Sequence, residues 1–398
     1  MNAAVTATSP HSMGKFGLRI AVRFLVFATL ALAVLQASFA KNIILVNRIG
    51  PSGGELFIAN ADGSGERKLN SGGAMDYDPM FSADGKWIVF TSERNGSSNI
   101  YRLHPDGSGL ERLTDNDGFD DQASLSPDDN QVAFVSSRGS GTNNIWILDI
   151  KTRKARNLTG TPALQAAAGK MDGFFRPSWS PDGKWIAFSS DRGMDFKGHK
   201  FPAPGWEHIQ AASIYVIRPD GTGLRKLTPE SEMAGSPKWS ADSKQLVFYD
   251  LDAEYTFAAR GFGQATSQIV SVDVTTGARM ERTSGPGLKV SPQFLGGDRI
   301  GYLLKGPGQK GKLAFTTGEP GADAPAPGAI RNPAWSPDGK QVVYEKFAYA
   351  SKQNQPLFAK DRTFDIRFSG EFPAISNTGK LTLSPFGEVG AGTITPFD

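Results

Sequence analysis

The sequence predicts an all-β fold, a β-propeller of four-stranded antiparallel blades, and three observations carry that prediction. A hairpin phrase recurs five times: Ser82-Ala-Asp-Gly-Lys86, Ser126-Pro-Asp-Asp-Asn130, Ser180-Pro-Asp-Gly-Lys184, Ser240-Ala-Asp-Ser-Lys244 and Ser336-Pro-Asp-Gly-Lys340. Each copy follows an aromatic residue or Leu (Phe81, Leu125, Trp179, Trp239, Trp335) and precedes an apolar run such as Trp87-Ile88-Val89-Phe90. The copies recur at the spacing of propeller repeats, about 40 to 60 residues.

Each element of the repeat has a physical reason. Pro presets φ at the first corner of a tight turn, Asp bonds the turn backbone, and Gly takes the left-handed position that lets two antiparallel strands meet. A third strand follows in the better copies, Asn99-Ile-Tyr-Arg-Leu103 or Ser213-Ile-Tyr-Val-Ile217. A second glycine turn, Asp106-Gly-Ser-Gly109 or Asp220-Gly-Thr-Gly223, leads to short polar strands at Glu111–Thr114 and Arg225–Thr228. The four strands, a to d, cannot bury both faces alone, so copies stack around a channel.

Seven blades are expected, with six as the alternative. Phe294-Leu295-Gly-Gly-Asp298 replaces the hairpin phrase in one blade, and Ile375-Ser-Asn-Thr-Gly-Lys380 reads as a degenerate seventh copy. The stretch Ile43 to Leu69 carries late blade strands, Ile44-Leu-Val46 and Glu55-Leu-Phe-Ile58, then Asp62-Gly-Ser-Gly65, but no anchor. The ring would close if Phe372 to Pro385 supplied the missing strand. Alternatively, Thr393-Ile-Thr-Pro396 reads as linker toward strands beyond Asp398.

The phrase Pro177-Ser-Trp-Ser-Pro-Asp-Gly-Lys-Trp-Ile-Ala-Phe188, with Ile214-Tyr215, Asp220-Gly221 and Leu227-Thr228, resembles the TolB-type β-propeller repeat. Similar repeats occur in the propellers of prolyl-oligopeptidase-like enzymes and of sugar-lyase relatives. The resemblance covers nearly all of the chain after residue 41 and implies fold strongly but function weakly. The α/β domain that precedes the propeller in TolB has no counterpart before these repeats. What the resemblance implies is a periplasmic docking surface.

Residues 1–40 read as a cleavable secretory signal. Lys15, Arg19 and Arg23 precede the apolar run Phe24 to Leu35, and Ala37-Ser-Phe-Ala40 offers small residues to a signal peptidase. Met13 is an alternative start. The run is shorter than the about 20 residues of a membrane span, so no membrane insertion is expected after cleavage. With no Cys, a disulfide and a cysteine-linked lipid are excluded, and periplasm or secretion is the expected address. Removing residues 1–40 leaves 40 basic and 40 acidic residues, a neutral balance that argues against a nucleic-acid partner.

Loop parity places function on one face. The short a–b and c–d turns share one face of the disc, and the long connections, Gly160 to Phe175, Asp191 to Ala212 and Leu251 to Gln268, fall on the other. Long loops on a rigid scaffold concentrate recognition. They carry His199, Trp206, Glu207, His208, Tyr255 and Arg260, residue types that suit a protein, peptide or glycan partner. The bland alternative is a satellite core that pins the loops.

A second candidate is the residue before the proline, or its equivalent, in each strand a: Asp78, Gln122, Arg176, Ser236, Ser291, Asn332 and Phe372. Six of these are polar and would rim the channel. For chemistry, no G-x-S-x-G elbow is present, so no catalytic residue is assigned. His199 and His208, with Glu207, Asp191 or Asp195, are ligand types that suit zinc or manganese, but their spacing matches no metal motif. No cofactor is therefore expected. A metal-assisted saccharide lyase or hydrolase using His199 and His208 is the alternative to a binding propeller.

Overall fold

The computed structural model describes residues 53–69, 75–116, 118–139, 142–161, 173–193, 211–252, 266–305, 311–322, 329–348, 364–366 and 379–381. The signal segment, Lys41, Ile44–Val46, His199, Trp206, Glu207, His208, Tyr255, Arg260 and Phe372 lie outside them.

Six blades form a closed ring. Blade 1 is β3 (Asp76–Phe81), β4 (Ile88–Asn95), β5 (Ser97–Leu103) and β6 (Glu111–Arg112); blade 2 is β7 (Asp120–Leu125), β8 (Gln131–Ser136), β9 (Asn144–Asp149) and β10 (Ala155–Asn157). Blade 3 is β11 (Phe174–Trp179), β12 (Ile186–Ser190), β13 (Ser213–Ile217) and β14 (Arg225–Lys226), and blade 4 is β15 (Glu232–Trp239), β16 (Gln245–Asp252), β17 (Gln268–Asp273) and β18 (Arg279–Glu281). Blade 5 has three strands, β19 (Leu288–Phe294), β20 (Ile300–Lys305) and β21 (Lys312–Phe315). Blade 6 joins β22 (Ala329–Trp335) and β23 (Gln341–Ala348) to β1 (Gly53–Asn60) and β2 (Arg67–Lys68), in the order β2-β1-β23-β22.

That last sheet corrects the seven-blade expectation. The strand that closes the ring is β23, paired with β1 from Gly53↔Ala348 to Asn60↔Gln341, and not a segment from Phe372 to Pro385. Gly53–Asn60 is therefore a third strand and Arg67–Lys68 the fourth. Among the described residues after blade 6, β24 (Phe364–Ile366) pairs only with β25 (Gly379–Leu381).

The hairpin phrase folds as its chemistry predicts. Ser180 Oγ donates to Asp182 Oδ1 at 2.7 Å and accepts from Trp185 N at 2.9 Å, while Lys184 N donates to Asp182 Oδ1 at 3.1 Å. The same three bonds recur at Ser82, Ser126, Ser240 and Ser336. The fourth position of the turn is left-handed throughout, at Gly85, Asp129, Gly183, Ser243 and Gly339. Only three of these are Gly; Asp and Ser bear the same φ at greater cost.

The recurrent Thr after strand d completes the blades. Thr114, Thr159, Thr228, Thr283 and Thr316 each accept, through Oγ1, the N–H of an Ile at strand c or b, at 2.8 to 3.0 Å. A side-chain oxygen thus continues a ladder after the short outer strand stops. Blade-to-blade packing is apolar, with Leu56, Ile58, Phe90, Phe134, Phe188, Phe248 and Trp335 at 1% exposure or less. Such interfaces replace the disulfides this chain lacks.

Candidate functional site

Every innermost strand is broken at the same place. Pairing runs Tyr77↔Thr91 and then Met80↔Val89 in blade 1, so two residues, Asp78 and Pro79, face the single residue Phe90. The shift repeats in the other five blades. The residue opposite each bulge is aromatic in all six: Phe90, Phe134, Phe188, Phe248, Tyr302 and Tyr344. All six are buried. Pro, which lacks an N–H, follows the bulged residue in five blades, which suits a position where the ladder is already interrupted.

The first residue of each bulge is left-handed although none is glycine. Asp78, Gln122, Arg176, Ser236, Ser291 and Asn332 have φ between 44° and 56°. Backbones of this kind cost about 1–3 kcal/mol each and concentrate at functional sites. These six residues line one recess at the channel mouth, with Met80, Lys238 and four of the prolines. The polar rim expected from the sequence is therefore real for six positions. Phe372, the seventh expected position, lies outside the described residues.

Four of the six rim residues are knitted into a hydrogen-bonded belt. Arg176 Nη1 donates to Asp78 Oδ1 at 2.5 Å, and Arg176 N donates to Gln122 Oε1 at 2.8 Å. Asn332 Nδ2 donates to Asp78 Oδ1 and, at 3.1 Å, to Glu345 Oε1. Glu345 Oε2 accepts the Asp78 N–H at 2.6 Å. Asp121 Oδ1 accepts from Thr91 Oγ1 and from Gln122 N, both at 2.7 Å. Asp78, Arg176 and Asn332 were all expected from sequence, and this belt brings them together across blades 6, 1 and 3.

The pattern of single residues does not single out Asp121, Glu345 or Lys238. A signal for two of them exists. Lys238 is the lone charged residue two places beyond the bulge start, where other blades have Met80, Ser124, Ser178, Gln293 and Ala334. Glu345 is the lone acid just after the aromatic residue of strand b, where the others have Thr91, Val135, Ser189, Tyr249 and Leu303. Both signals require the blades to be aligned on the bulge.

The buried charges shape one another. Burial, with the Asp78 carboxylate second, pushes Asp121 and Glu345 each up to about 8. Burial and then the Arg176 charge push Lys238 down to about 7, against the pull of Asp78. Burial also works against Arg176, but Asp78 and Asp121 outweigh it and keep the guanidinium protonated. Among the described residues no cluster of His, Asp and Glu could hold a metal ion.

The family model of the TolB beta propeller domain matches residues 41–168. Over those residues the chain is similar to the TolB-type propeller repeat. A TolB-like protein from Agrobacterium tumefaciens is similar in fold, with a TM-score of 0.52 and 18% identity over 75% of this chain and 99% of that one. TolB from Acinetobacter baumannii gives a TM-score of 0.48 at 18% identity, over 74% of this chain and 64% of its own. In sequence, the uncharacterized peptidase YuxL of Bacillus subtilis (strain 168) is 32% identical over 108 residues, 27% of this chain and 13% of the relative. The match thus spans a small part of that relative. No helix among the described residues of this TolB-like propeller is long and apolar enough to cross a membrane.

Proposed function

We propose that this TolB-like propeller is exported across the inner membrane and recognises a protein or peptide partner at its channel mouth. The observation that supports it best is the rim of six non-glycine residues held left-handed around one open recess. A structural ring alone could use glycine there, at lower backbone cost. The connections at 194–210 and 253–265, which join β12 to β13 and β16 to β17, belong to the same reading. They carry His199, Trp206, Glu207, His208, Tyr255 and Arg260 as further contacts. Export rests on residues 1–40, and the mature chain should begin at Lys41, which mass analysis of exported protein would test.

The partner face is tested by a photo-crosslinking residue placed at Gln122 or Ser236 on the rim, or at Lys184 on the turn face, in the living cell. Adducts from the rim positions alone are expected. Adducts from Lys184 alone, or none from the rim in protein that is folded and exported, would overturn the reading.

A further inference from the structure

We infer that the channel mouth holds a carboxylate-binding subsite between the Lys238 ammonium, which reaches across the recess toward blade 1, and the Ser236 and Ser291 hydroxyls of blades 4 and 5. The inference rests on the partner-face reading above and names the chemistry that would be recognised there.

The rim is asymmetric. Asp78, Gln122, Arg176 and Asn332, on blades 6, 1, 2 and 3, are tied into the belt and satisfy one another. Ser236 and Ser291 make no side-chain hydrogen bond among the described residues, although both line the recess and are only partly buried. Lys238 reaches from blade 4 across the channel to blade 1, the opposite blade of six, and its Nζ lies 3.5 Å from Met80 Sδ. A thioether is a weak acceptor and carries no charge. The carboxylate that Lys238 feels, Asp78, already accepts from Arg176 and Asn332. The ammonium therefore lacks a counter-ion of its own in a half-buried place, where an unpaired charge is costly.

The charges facing it favour an anion over a cation. Below about pH 7 Lys238 holds its proton, Asp121 and Glu345, pushed up to about 8, hold theirs, and Asp78 alone faces Arg176 and Lys238. A carboxylate could accept from Lys238 Nζ and from either hydroxyl, which neutral ligands could not repay as well. Two sources share this chemistry: the terminal or side-chain carboxylate of a peptide, and a free organic acid.

The probes are N-acetyl-alanyl-alanine, its C-terminal amide, and succinate, titrated calorimetrically into the full chain at about pH 6 and about pH 9. The blocked dipeptide acid should bind at the lower pH, with its amide about tenfold weaker or worse. Affinity should fall toward the higher pH, because Lys238 loses its proton while Asp121 and Glu345 lose theirs. Binding of succinate but not the dipeptide acid would support the subsite and identify a free acid as its guest. Lys238→Met should weaken the acid about tenfold or more, and Lys238→Arg should keep most of the affinity. Where Lys238→Met does not fold, Ser236→Ala with Ser291→Ala gives the same reading at the partly exposed hydroxyls. No binding of any carboxylate at either pH, or full affinity in Lys238→Met, would overturn the inference. Crosslinking at Gln122 would still report a partner in that event, so the two failures are distinguishable.

Discussion

On the turn face, the left-handed position of each a–b hairpin is filled by Gly85, Gly183 and Gly339, or by Asp129 and Ser243; at the mouth it is never glycine. The turn-face side chains repeat, and so do their bonds, Ser to Asp to the next backbone N–H in five blades. The mouth repeats only its backbone. Six bulges have nearly one φ, yet they present an acid, a base, two amides and two hydroxyls. Repetition of side chains marks what builds the ring, and variation on a repeated backbone is what the proposed partner face rests on.

The largest test of that contrast removes a residue on which both faces depend. Phe134 is fully buried opposite the bulge of blade 2 and packs in the cluster between blades 1 and 2. Phe134→Ala should cost about 3–5 kcal/mol, measured by denaturant unfolding. A loss below about 1 kcal/mol would mean the aromatic residues opposite the bulges do not set the inner strand.

Three turn-face substitutions come next, two that destabilise and one that stabilises. At Gly107, in the c–d turn of blade 1, φ is +93° and a Cβ would stand 2.5 Å from the Leu69 carbonyl oxygen. Gly183 has φ +71° but only ordinary contacts with Pro127, at 3.9 Å. Gly107→Ala should therefore cost about 1–3 kcal/mol, more than Gly183→Ala at about 1 kcal/mol. Asp129→Gly should go the other way. It relieves a non-glycine residue at φ 56° and removes an Oδ1 that is buried without a hydrogen-bond partner, a gain of about 1 kcal/mol. Thermal unfolding of the three variants side by side decides whether the hairpins are purely architectural.

What the sequence makes legible follows the same division. Turn chemistry is local, so Ser180-Pro-Asp-Gly-Lys184 and its copies can be read as hairpins from five residues each. The rim could be found because Pro79, Pro177, Pro237, Pro292 and Pro333 stand at equivalent places in their repeats. Blade count depends on the pairing of β1 with β23, nearly 300 residues apart, and no local pattern reports it. Asp62-Gly-Ser-Gly65 does match Asp106-Gly-Ser-Gly109, which marks Gly53–Asn60 as a third strand, and among the described residues its partner is Gln341–Ala348. Together those facts fit six blades. Asp121 escapes notice because its importance comes from burial against Asp78, which sequence does not display.

The smallest effect separates the two faces by pH. On the turn face, hydrogen bonds from Lys86 and Ser82 overcome a burial penalty and pull Asp84 down to about 2, and bonds from Ser336 and the Lys340 N–H lower Asp338. A folded value below the unfolded one, about 3.9, gives stability that is present above that pH and lost as pH falls through about 2. At the mouth the sign reverses. Asp121 and Glu345, raised to about 8 by burial and then by Asp78, give stability that is full below about 4 and lost as pH rises through about 8. Lys238, lowered to about 7, contributes oppositely, gaining as pH rises above about 7. It is unchanged in Asp121→Asn, which keeps an oxygen to accept from Thr91 and Gln122 but cannot ionise. The melting temperature of Asp121→Asn minus that of the parent should therefore grow between about pH 6 and about pH 9, while the acid limbs of the two curves, set by the turn carboxylates, coincide. A difference that stays constant with pH would mean that Asp121 is ionised throughout, and the mouth would then carry less positive charge than a carboxylate guest requires.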